Sequence, residues 1–479
     1  MYEVQQLIDG VWGRGPDDGA LVVLDPADNA EVTRVPEATE AEVAAAVKAS
    51  RVATAEWSST PAAARGAALH RVADLLESSA EQLAEAQTAE MGRPIGLARG
   101  GVEAAVGTLR QYAELGPIHR GRALAGNPEA IDLMAVQPRG VVAALTPWND
   151  PVAVSCGLLG AALVTGNTVI YKPSERSPVS GWLLARLFAA HLPAGVFSLL
   201  TGGARVGAAL ASAEVDVVAH VGSSATGRSI AAACAVSGAK ALLENGGSDA
   251  LIVDDGIDPV WAAEQAALGA FTNSGQLCVA VERIYVLRPV ADAFVAALAR
   301  QAEALRIGPG RDERTEIGPL VDRRQRLLVD SQVRAAVADG ARVLTGGVVP
   351  DGPGAFYPPT VLVDCTDQMA VMREETFGPV APVLVVDSFD EALSRAAQSP
   401  YGLCATVLTG SMSHAQQAWR ELPVGTVKIN NVFGGAPGGA AHPRRGSGQG
   451  FGYGPELLDE LTVTKVVHIA APGGPAGRW

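Results

Sequence analysis

Three polar residues, each at the end of a predicted element, carry groups that acyl-transfer chemistry needs. Cys278 lies in SGQLCVA, Glu244 closes the apolar run ALLE before two glycines, and Asn149 follows a predicted strand in TPWND. A thiol, a carboxylate and a side-chain amide can act as nucleophile, general base and oxyanion donor. Each also has a structural interpretation, because free cysteines pack as small apolar groups and polar residues end strands in turns. The set predicts covalent catalysis in which no step needs a metal.

A phosphate site is indicated by small residues at one strand-to-helix turn. The chain has no GxGxxG and no GxxxxGK[ST] motif, but GSSATG at 222–227 follows the strand-like run DVVAHV and opens a helical segment. Backbone amides and hydroxyls at a helix N-terminus can bind a pyrophosphate. A tight turn without a ligand explains the same residues equally well.

Composition excludes several classes of partner. The 479 residues carry a net charge of −14, and the pair Arg444 and Arg445 beside His442 is too short to follow a nucleic-acid backbone. The uncharged run at 151–171 contains glycines and a Gly-Asn turn, so a buried helix followed by a buried strand explains it better than a membrane span. We therefore expect neither a nucleic-acid nor a membrane partner.

The cysteines and the N-terminus indicate a reducing compartment. Five scattered cysteines are an odd number and show no CxxC metal spacing, and MYEVQQLIDG has neither the basic nor the apolar region of a signal peptide. We expect a cytoplasmic protein without a disulfide framework.

Apolar runs and helical patterns alternate from about residue 140, which predicts an α/β fold with a doubly wound parallel sheet. A second α/β set begins near residue 284, the N-terminal third is expected to be helical near 39–56, 61–90 and 100–115, and a β-like segment ends the chain. The apolar runs that predict strands are VVAAL (141–145), TVIY (168–171), FSLL (197–200), DVVAHV (216–221), ALLE (241–244), ALIV (250–253), IYVL (284–287), RVLTG (342–346) and VAPVLVV (380–386).

Taken jointly, the motifs of the chain resemble those of the aldehyde dehydrogenase superfamily, in its NAD(P)-dependent, hydrolytic form. The matching segments, in the family's order and spacing, are EMGRP (90–94), TPWN (146–149), ALVTGNTVIYKPSE (162–175), GSSATG (222–227), ENGG (244–247), GQLCVA (275–280) with Arg283, IGPL (317–320), EETFGPV (374–380), YGL (401–403) and the strand at Asn430.

The resemblance implies a division of the chain into three parts and an oligomer. The NAD-binding domain would comprise 1–118 plus 138–244, the catalytic domain 245–433, and a small β extension 119–137 plus 434–479. In the family such an extension bridges subunits, so a homodimer or homotetramer is expected.

The resemblance also assigns roles to individual residues. Cys278 corresponds to the nucleophile, Glu244 to the general base, and Asn149 with the Cys278 backbone amide to the oxyanion site. The cofactor-binding positions are Trp148, Lys172, Ser174, Glu175, Gly222, Ser223, Thr226, Glu375 and Phe377. The positions expected to line the substrate tunnel are Asp150, Leu277, Val279 and Phe433.

These roles imply a reaction with a covalent intermediate. The Cys278 thiolate would attack the aldehyde, hydride would pass to NAD, and water activated by Glu244 would hydrolyse the thioester. NAD is expected because a carboxylate at Glu175 repels a 2′-phosphate, with NADP as an alternative since relatives with KPSE accept both. The chain departs from the family at Leu158, where a lysine is common, and its tail reads PRRGSGQGFGYGPE.

The substrate is expected to be an apolar aromatic or aliphatic aldehyde. Leu277 and Val279 flank the nucleophile, and an unpaired Asp150 in the tunnel would repel anions. An anionic aldehyde carrying a carboxylate or phosphonate is the alternative, bound by Arg444 and Arg445. Further alternatives are a CoA-acylating semialdehyde dehydrogenase, which usually lacks the carboxylate of Glu244, and a non-catalytic structural member of the family.

Overall fold

Helices packed on parallel sheets make up most of the fold in the computed structural model, which describes residues 2–15, 20–435 and 439–472. The strands are β1 Gln6–Ile8, β2 Val11–Gly13, β3 Leu21–Leu24, β4 Glu31–Val35, β5 Arg122–Ala123, β6 Ala130–Pro138, β7 Val141–Leu145, β8 Thr168–Lys172, β9 Phe197–Leu199, β10 Val217–Val221, β11 Lys240–Glu244, β12 Asp249–Val253, β13 Val281–Leu287, β14 Arg342–Thr345, β15 Thr360–Val363, β16 Val380–Val386, β17 Cys404–Leu408, β18 Thr426–Ile429, β19 Gly448–Gln449 and β20 Thr462–Ala470. The α-helices are α1 Glu40–Ser59, α2 Ala62–Ser78, α3 Ala80–Met91, α4 Ile95–Ile118, α5 Pro151–Val164, α6 Pro178–Ala189, α7 Ala204–Ala211, α8 Ser224–Ser237, α9 Pro259–Phe271, α10 Arg288–Ala304, α11 Arg323–Ala338, α12 Phe389–Ala397, α13 Met412–Glu421 and α14 Glu456–Glu460.

The first sheet has eight strands in the order β19-β11-β10-β7-β8-β9-β1-β2. Its five central strands are parallel, and antiparallel strands pair at both edges. β7 and β8 are buried along their whole length, because helices cover both faces of the sheet. The uncharged run at 151–171 forms α5 and β8, as the sequence predicts, and α5 is buried on nearly every side.

The second sheet has seven strands in the order β14-β15-β16-β13-β12-β17-β18. All pairs are parallel except β14 with β15, which closes one edge. The mixed α/β class with a doubly wound parallel sheet is therefore confirmed. The sequence analysis omitted β15 and β17, which are only four and five residues long, whereas the strand that it placed at Asn430 is β18.

Two segments of the tail join different sheets. β20 pairs with β6, which also pairs with β5, in a separate three-stranded sheet. β19 instead pairs antiparallel with the end of β11, where Gly448 lies opposite Glu244. The tail therefore also forms the edge of the first sheet, directly beside Glu244.

The three helical stretches expected in the N-terminal third are confirmed, with two additions. Four short strands precede α1, and the helix expected over 61–90 is two helices that meet at Ser79. β1 and β2 form a hairpin whose turn, Asp9-Gly10, has positive φ at both residues, of 51° and 75°. That Asp-Gly turn is a sequence signal for a hairpin. Among the described residues, no helix is long and apolar enough to cross a membrane.

Candidate active site

One cavity of about 720 Å³ opens at the carboxyl edge of the first sheet. Cys278, Glu244 and Asn149 all line this cavity. It is also lined by every residue predicted to bind the cofactor: Trp148, Lys172, Ser174, Glu175, Gly222, Ser223, Thr226, Glu375 and Phe377. The fold thus brings together twelve residues that the sequence spreads over about 230 positions.

The loop that carries Cys278 leaves α9 through a run of left-handed backbone. Asn273, Ser274 and Gly275 have φ of 52°, 58° and 72°. Asn273 and Ser274 are buried, and the Ser274 hydroxyl donates to the Gly318 carbonyl at 2.8 Å, which offsets the strain of these conformations. Cys278 itself is partly exposed to the cavity. Burial, together with the negative charge of Glu244, raises the pKa of the Cys278 thiol to about 12.

Asn149 lies at the N-terminus of α5 and is fixed against the cysteine loop. Its side-chain Nδ2 donates to the Gln276 carbonyl at 3.1 Å, two residues before Cys278. Its backbone carbonyl accepts from Asn273 Nδ2 at 3.3 Å and from Arg93 Nη1 at 3.2 Å. The amide is therefore held by hydrogen bonds on both its backbone and its side chain.

Glu244 ends β11 and is held by the tail. The backbone amide of Gly452 donates to Glu244 Oε1 at 2.9 Å. Burial raises the pKa of the Glu244 carboxyl to about 8, although the Gly452 hydrogen bond acts in the opposite direction. The carboxyl is therefore largely protonated at neutral pH in this arrangement.

Ser447 is a buried residue of the site that the sequence analysis missed. Its hydroxyl donates to the Gly246 carbonyl at 2.8 Å and accepts from the Gly402 amide at 3.0 Å. Its own carbonyl accepts from the Asn245 amide at 2.8 Å. Ser447 thus fixes the two residues after Glu244, and no local motif in the sequence indicates this long-range contact.

The turn 222–226 has the features of an anion site. Ser223 is the N-cap of α8, and its hydroxyl accepts from the Thr226 amide at 3.3 Å. Gly222 lies so close to the His220 ring that a Cβ there would come within 2.7 Å of it, which explains the glycine. Lys172 Nζ donates to two backbone carbonyls at 2.9 Å each and lies 4.0 Å from Glu175 Oε2. A helix N-terminus, a lysine and a half-exposed carboxylate in one cavity fit the pyrophosphate and ribose of a dinucleotide.

Glu375 and Phe377 form the opposite wall of the cavity. The Gly247 amide donates to Glu375 Oε1 at 3.0 Å, and burial raises the pKa of the Glu375 carboxyl to about 7. A Cβ on Gly246 would lie 2.2 Å from this carboxylate, so the glycine is needed for the close approach. The Phe377 ring contacts the edge of Trp148, with ring centroids 5.4 Å apart.

Glu282 is a second residue that the sequence analysis did not single out. Its buried carboxylate accepts from the Thr376 amide at 2.9 Å and from the Phe377 amide at 2.8 Å. Burial, together with the charge of Glu375, raises its pKa well above the ordinary range for a glutamate. Glu282 thereby fixes Phe377, whose φ is +51°. Two adjacent charged residues, Glu282 and Arg283, in the otherwise largely apolar strand VERIYVL were the available signal.

None of the four residues predicted to line the substrate tunnel, Asp150, Leu277, Val279 and Phe433, is among the residues that line the described cavity. Leu277 and Val279, on either side of Cys278, are partly exposed, and Phe433 is partly buried beneath Lys428 Nζ at 5.5 Å from its ring. Asp150 is not an unpaired charge, because its Oδ1 lies 2.7 Å from Arg93 Nη1. The argument that Asp150 repels anionic substrates is therefore wrong. Arg445 donates to the carbonyls of Ala397 and Ser399, at 2.8 and 2.5 Å.

The two parallel-sheet units and the cavity at the carboxyl edge of the first define a dinucleotide-dependent α/β dehydrogenase. The aldehyde dehydrogenase family model matches residues 12–467, and the chain belongs to this family, whose members use NAD(P). Among the described residues, no cluster of His, Cys, Asp and Glu could hold a metal ion.

Curated relatives and solved structures support this assignment. A mitochondrial aldehyde dehydrogenase of Leishmania tarentolae is 35% identical over 97% of this chain and 94% of its own length. A glutarate-semialdehyde dehydrogenase of Pseudomonas putida is 35% identical over 90% of both chains. The crystal structure of a betaine aldehyde dehydrogenase from Staphylococcus aureus in complex with NAD⁺ has a TM-score of 0.96 at 29% identity, covering 100% of this chain and 97% of that one.

Proposed function

We propose that the chain oxidises an aldehyde to a carboxylic acid through a thioester on Cys278, which water activated by Glu244 hydrolyses. The observation that carries the proposal is that Cys278, Glu244 and Asn149 line the same cavity as the nine predicted cofactor residues. A nucleophile, a base and an amide donor therefore share one space with a dinucleotide site.

The first step is attack of the Cys278 sulfur on the aldehyde carbon. The tetrahedral product carries an oxyanion, and the Asn149 side-chain amide with the Cys278 backbone amide stabilises it by roughly 3 to 4 kcal/mol per donor in comparable sites. The Asn149 Nδ2 now donates to the Gln276 carbonyl, and it exchanges that partner for the oxyanion. NAD, when bound, supplies the hydride acceptor for this oxidation.

The second step is hydrolysis of the thioester. Glu244 removes a proton from the attacking water, and the oxyanion site stabilises the second tetrahedral species in the same way. The raised pKa of Glu244, about 8, suits this role. A group whose pKa lies near the working pH is ionised in a useful fraction of molecules, and its ionised form is a stronger base than an ordinary carboxylate. The attacking thiolate forms by loss of the Cys278 proton to solvent water, so acylation does not depend on Glu244.

The cofactor residues divide into two groups along the cavity. Lys172, Ser174 and Glu175 would hold the adenosine ribose, and Ser223 with Gly222 and Thr226 would hold the pyrophosphate at the N-terminus of α8. Glu375 and Phe377, with Trp148 in contact, would hold the nicotinamide ribose and ring. A carboxylate at Glu175 favours NAD over NADP.

For the substrate we propose an apolar aromatic or aliphatic aldehyde. The support is the pair Leu277 and Val279, which flank Cys278 and are partly exposed. An anionic semialdehyde is a second candidate, because relatives named glutarate- and succinate-semialdehyde dehydrogenase are 35% and 34% identical to the chain. With Asp150 paired to Arg93, charge repulsion no longer argues against it.

We also propose a homodimer or homotetramer built on the sheet of β5, β6 and β20. Its support is the exposed apolar side chains of Ile131, Val466 and Ile469, which are 56%, 69% and 53% exposed. The proposed division into a cofactor part, a catalytic part and this extension is supported by the second sheet and the three-stranded sheet, although β19 of the segment 434–479 pairs in the first sheet. A cytoplasmic location stays a prediction that rests on the five free cysteines.

The experiment that tests the mechanism compares two variants in pre-steady-state kinetics. Cys278→Ala should bind NAD and fold normally but form no NADH above background, because the nucleophile is lost. Glu244→Gln should give a burst of NADH close to one per active site and then very slow turnover, because only hydrolysis needs the base. Appreciable turnover in Cys278→Ala would overturn the mechanism.

The same assay separates the rival functions. Addition of CoA should not raise the steady-state turnover of the parent enzyme or of Glu244→Gln. In a CoA-acylating enzyme, CoA would resolve the thioester and raise the turnover of both proteins. A non-catalytic family member would produce no absorbance at 340 nm with any aldehyde.

A further inference from the structure

A buried ion pair lies directly beside the proposed oxyanion donor. Arg93 Nη1 is 2.7 Å from Asp150 Oδ1, and Nη2 donates to Asp150 Oδ2 at 3.3 Å. The Arg93 side chain is only 7% exposed and that of Asp150 25%. One hydrogen bond, from Nη2, and one close ionic contact, at Nη1, together restrict the orientation of the guanidinium. The same guanidinium donates from Nη1 to the Asn149 backbone carbonyl at 3.2 Å.

The surroundings leave this pair little freedom to move. A Cβ on Gly101, in α4, would lie 2.8 Å from Asp150 Oδ1 and 3.3 Å from Arg93 Nη2, so the helix backbone packs directly on the pair. The backbone carbonyl of Arg93 is packed on Gly310, where a Cβ would come within 2.5 Å of it. Arg93 is thus held between α4 and a loop of the second sheet's unit.

The Asn149 carbonyl connects the ion pair of Arg93 and Asp150 to the loop that carries Cys278. It accepts from Arg93 on one side and from Asn273 Nδ2 on the other, at 3.2 and 3.3 Å. Asn273 Nδ2 also donates to the Gln276 carbonyl at 3.3 Å, the group to which the Asn149 side chain donates. A shift of the Asn149 backbone would therefore move the amide relative to Cys278.

From this network we propose that Arg93, oriented by Asp150, is a positioning residue that fixes Asn149 for oxyanion stabilisation. The inference rests on the proposed function of Asn149 and assigns Arg93 no contact with substrate. Because the oxyanion site serves both tetrahedral species, misplacement of Asn149 should slow acylation and hydrolysis, and the first NADH turnover isolates the effect on acylation. Small displacements of an oxyanion donor weaken it where charge develops, without weakening cofactor binding.

The test measures the rate of the first NADH turnover at saturating aldehyde in four proteins: the parent, Arg93→Met, Asn149→Ala and the double variant. We expect Arg93→Met to slow acylation by about tenfold or more. The dissociation constant for NAD, from calorimetry, should change less than about twofold, because Arg93 does not line the cavity. In the Asn149→Ala background, Arg93→Met should lower the acylation rate by less than about a further twofold, because Arg93 acts through Asn149.

Two further variants separate positioning from folding. Arg93→Met/Asp150→Leu removes both charges, so no buried carboxylate is left unpaired, and it should still acylate slowly. Arg65→Met is the matched control: Arg65 also donates to backbone carbonyls in the same unit, those of Val164 and Ser58, but away from the cavity. It should lower thermal stability and leave the acylation rate unchanged. Arg93→Lys should recover part of the rate.

The outcomes distinguish failure of the inference from failure of the proposed function. Acylation within twofold of the parent in Arg93→Met/Asp150→Leu, with Asn149→Ala slow, overturns the positioning role alone. The positioning role is also overturned if the double variant slows acylation by the product of the two single effects, because Arg93 and Asn149 would then act independently. Parent-like acylation in Asn149→Ala overturns both the oxyanion role and the inference.

Discussion

Glu244 accepts a hydrogen bond from the backbone amide of Gly452 at 2.9 Å, and a methyl group on Gly452 would lie 2.1 Å from Glu244 Cγ. The proposed general base is thus held by a residue 208 positions away, at a distance that leaves no room for a Cβ. The tail segment that carries Gly452 also supplies β19, which pairs with the end of β11. The position of the base therefore depends on the tail as well as on its own strand.

Gly452→Ala should displace the Glu244 carboxylate and slow thioester hydrolysis. We expect steady-state turnover to fall on the order of tenfold while the burst of NADH is retained, because acylation does not need the displaced group. Gly107→Ala in α4, where a Cβ meets nothing within 4 Å, is the matched control and should leave both phases unchanged. Equal loss of burst and turnover in Gly452→Ala would contradict this role of the tail.

The pH dependence of turnover should report the raised pKa of Glu244. Where hydrolysis limits the rate, turnover should rise with pH with a midpoint near 8, because only the ionised carboxylate accepts a proton from water. The measurement is steady-state turnover between pH 5.5 and 9.5. Glu244→Gln is the control, and its turnover should not show the rise near pH 8. A midpoint below pH 6 in the parent enzyme would be inconsistent with the buried environment of Glu244.

The same shift predicts an effect on stability with a defined sign. A carboxyl whose folded pKa, about 8, exceeds its ordinary value of 4.5 contributes stability that is complete below pH 4.5 and is lost as pH rises through 8. The Tm of the parent should therefore fall relative to that of Glu244→Gln as the pH rises from about 4.5 to about 8. A difference in Tm that is independent of pH would show that Glu244 titrates near its ordinary value.

Cofactor preference should depend on Glu175. Its carboxylate is half-exposed at the cavity and 4.0 Å from Lys172 Nζ, so it would meet the 2′ position of the adenosine ribose. Glu175→Gln should lower the ratio of kcat/KM for NAD over NADP by about tenfold, by removing charge repulsion of the 2′-phosphate. Glu103→Gln, an exposed acid on α4, is the control. A parent enzyme that already prefers NADP would refute the assignment.

Glu282→Gln should weaken both the fold and NAD binding. Glutamine offers one acceptor oxygen where the carboxylate serves two buried amides, of Thr376 and Phe377, and an unsatisfied amide costs roughly 1 to 3 kcal/mol. Denaturant unfolding and calorimetric titration with NAD measure the two effects. Glu90→Gln is the matched control, because Glu90 also accepts from two backbone amides, Val179 and Ser180, outside the cavity. It should lose stability without losing NAD affinity.

Substrate preference is tested by comparing benzaldehyde and hexanal with succinate semialdehyde and a phosphonate-bearing aldehyde at fixed NAD. We expect the apolar aldehydes to have the higher kcat/KM, because Leu277 and Val279 flank Cys278. Arg444→Ala should leave that preference unchanged. An anionic aldehyde preferred by tenfold or more, about 1.4 kcal/mol, that loses its advantage in Arg444→Ala would establish the semialdehyde alternative.

The amino-acid sequence was sufficient for the fold class, and the twelve catalytic and cofactor positions that it predicts line one cavity. Fully apolar runs such as VVAAL and TVIY can be buried only in a sheet covered on both faces, and they form β7 and β8. Cys278, Glu244 and Asn149 follow strands or helices, and parallel strands end at a common edge, so their convergence was predictable. Family motifs then predicted nine cofactor-binding positions, all of which line the cavity.

What only the tertiary structure decided are contacts between residues far apart in the chain. Nothing local indicates that Gly452 holds Glu244, that Ser447 bonds to Gly246, or that Asp150 is paired with Arg93. The last of these reversed an electrostatic argument, because the effect of a charge depends on its partner and burial, which a sequence does not specify. Residue types and spacing determine the chemistry that is available, whereas packing determines the position and the ionisation of each group.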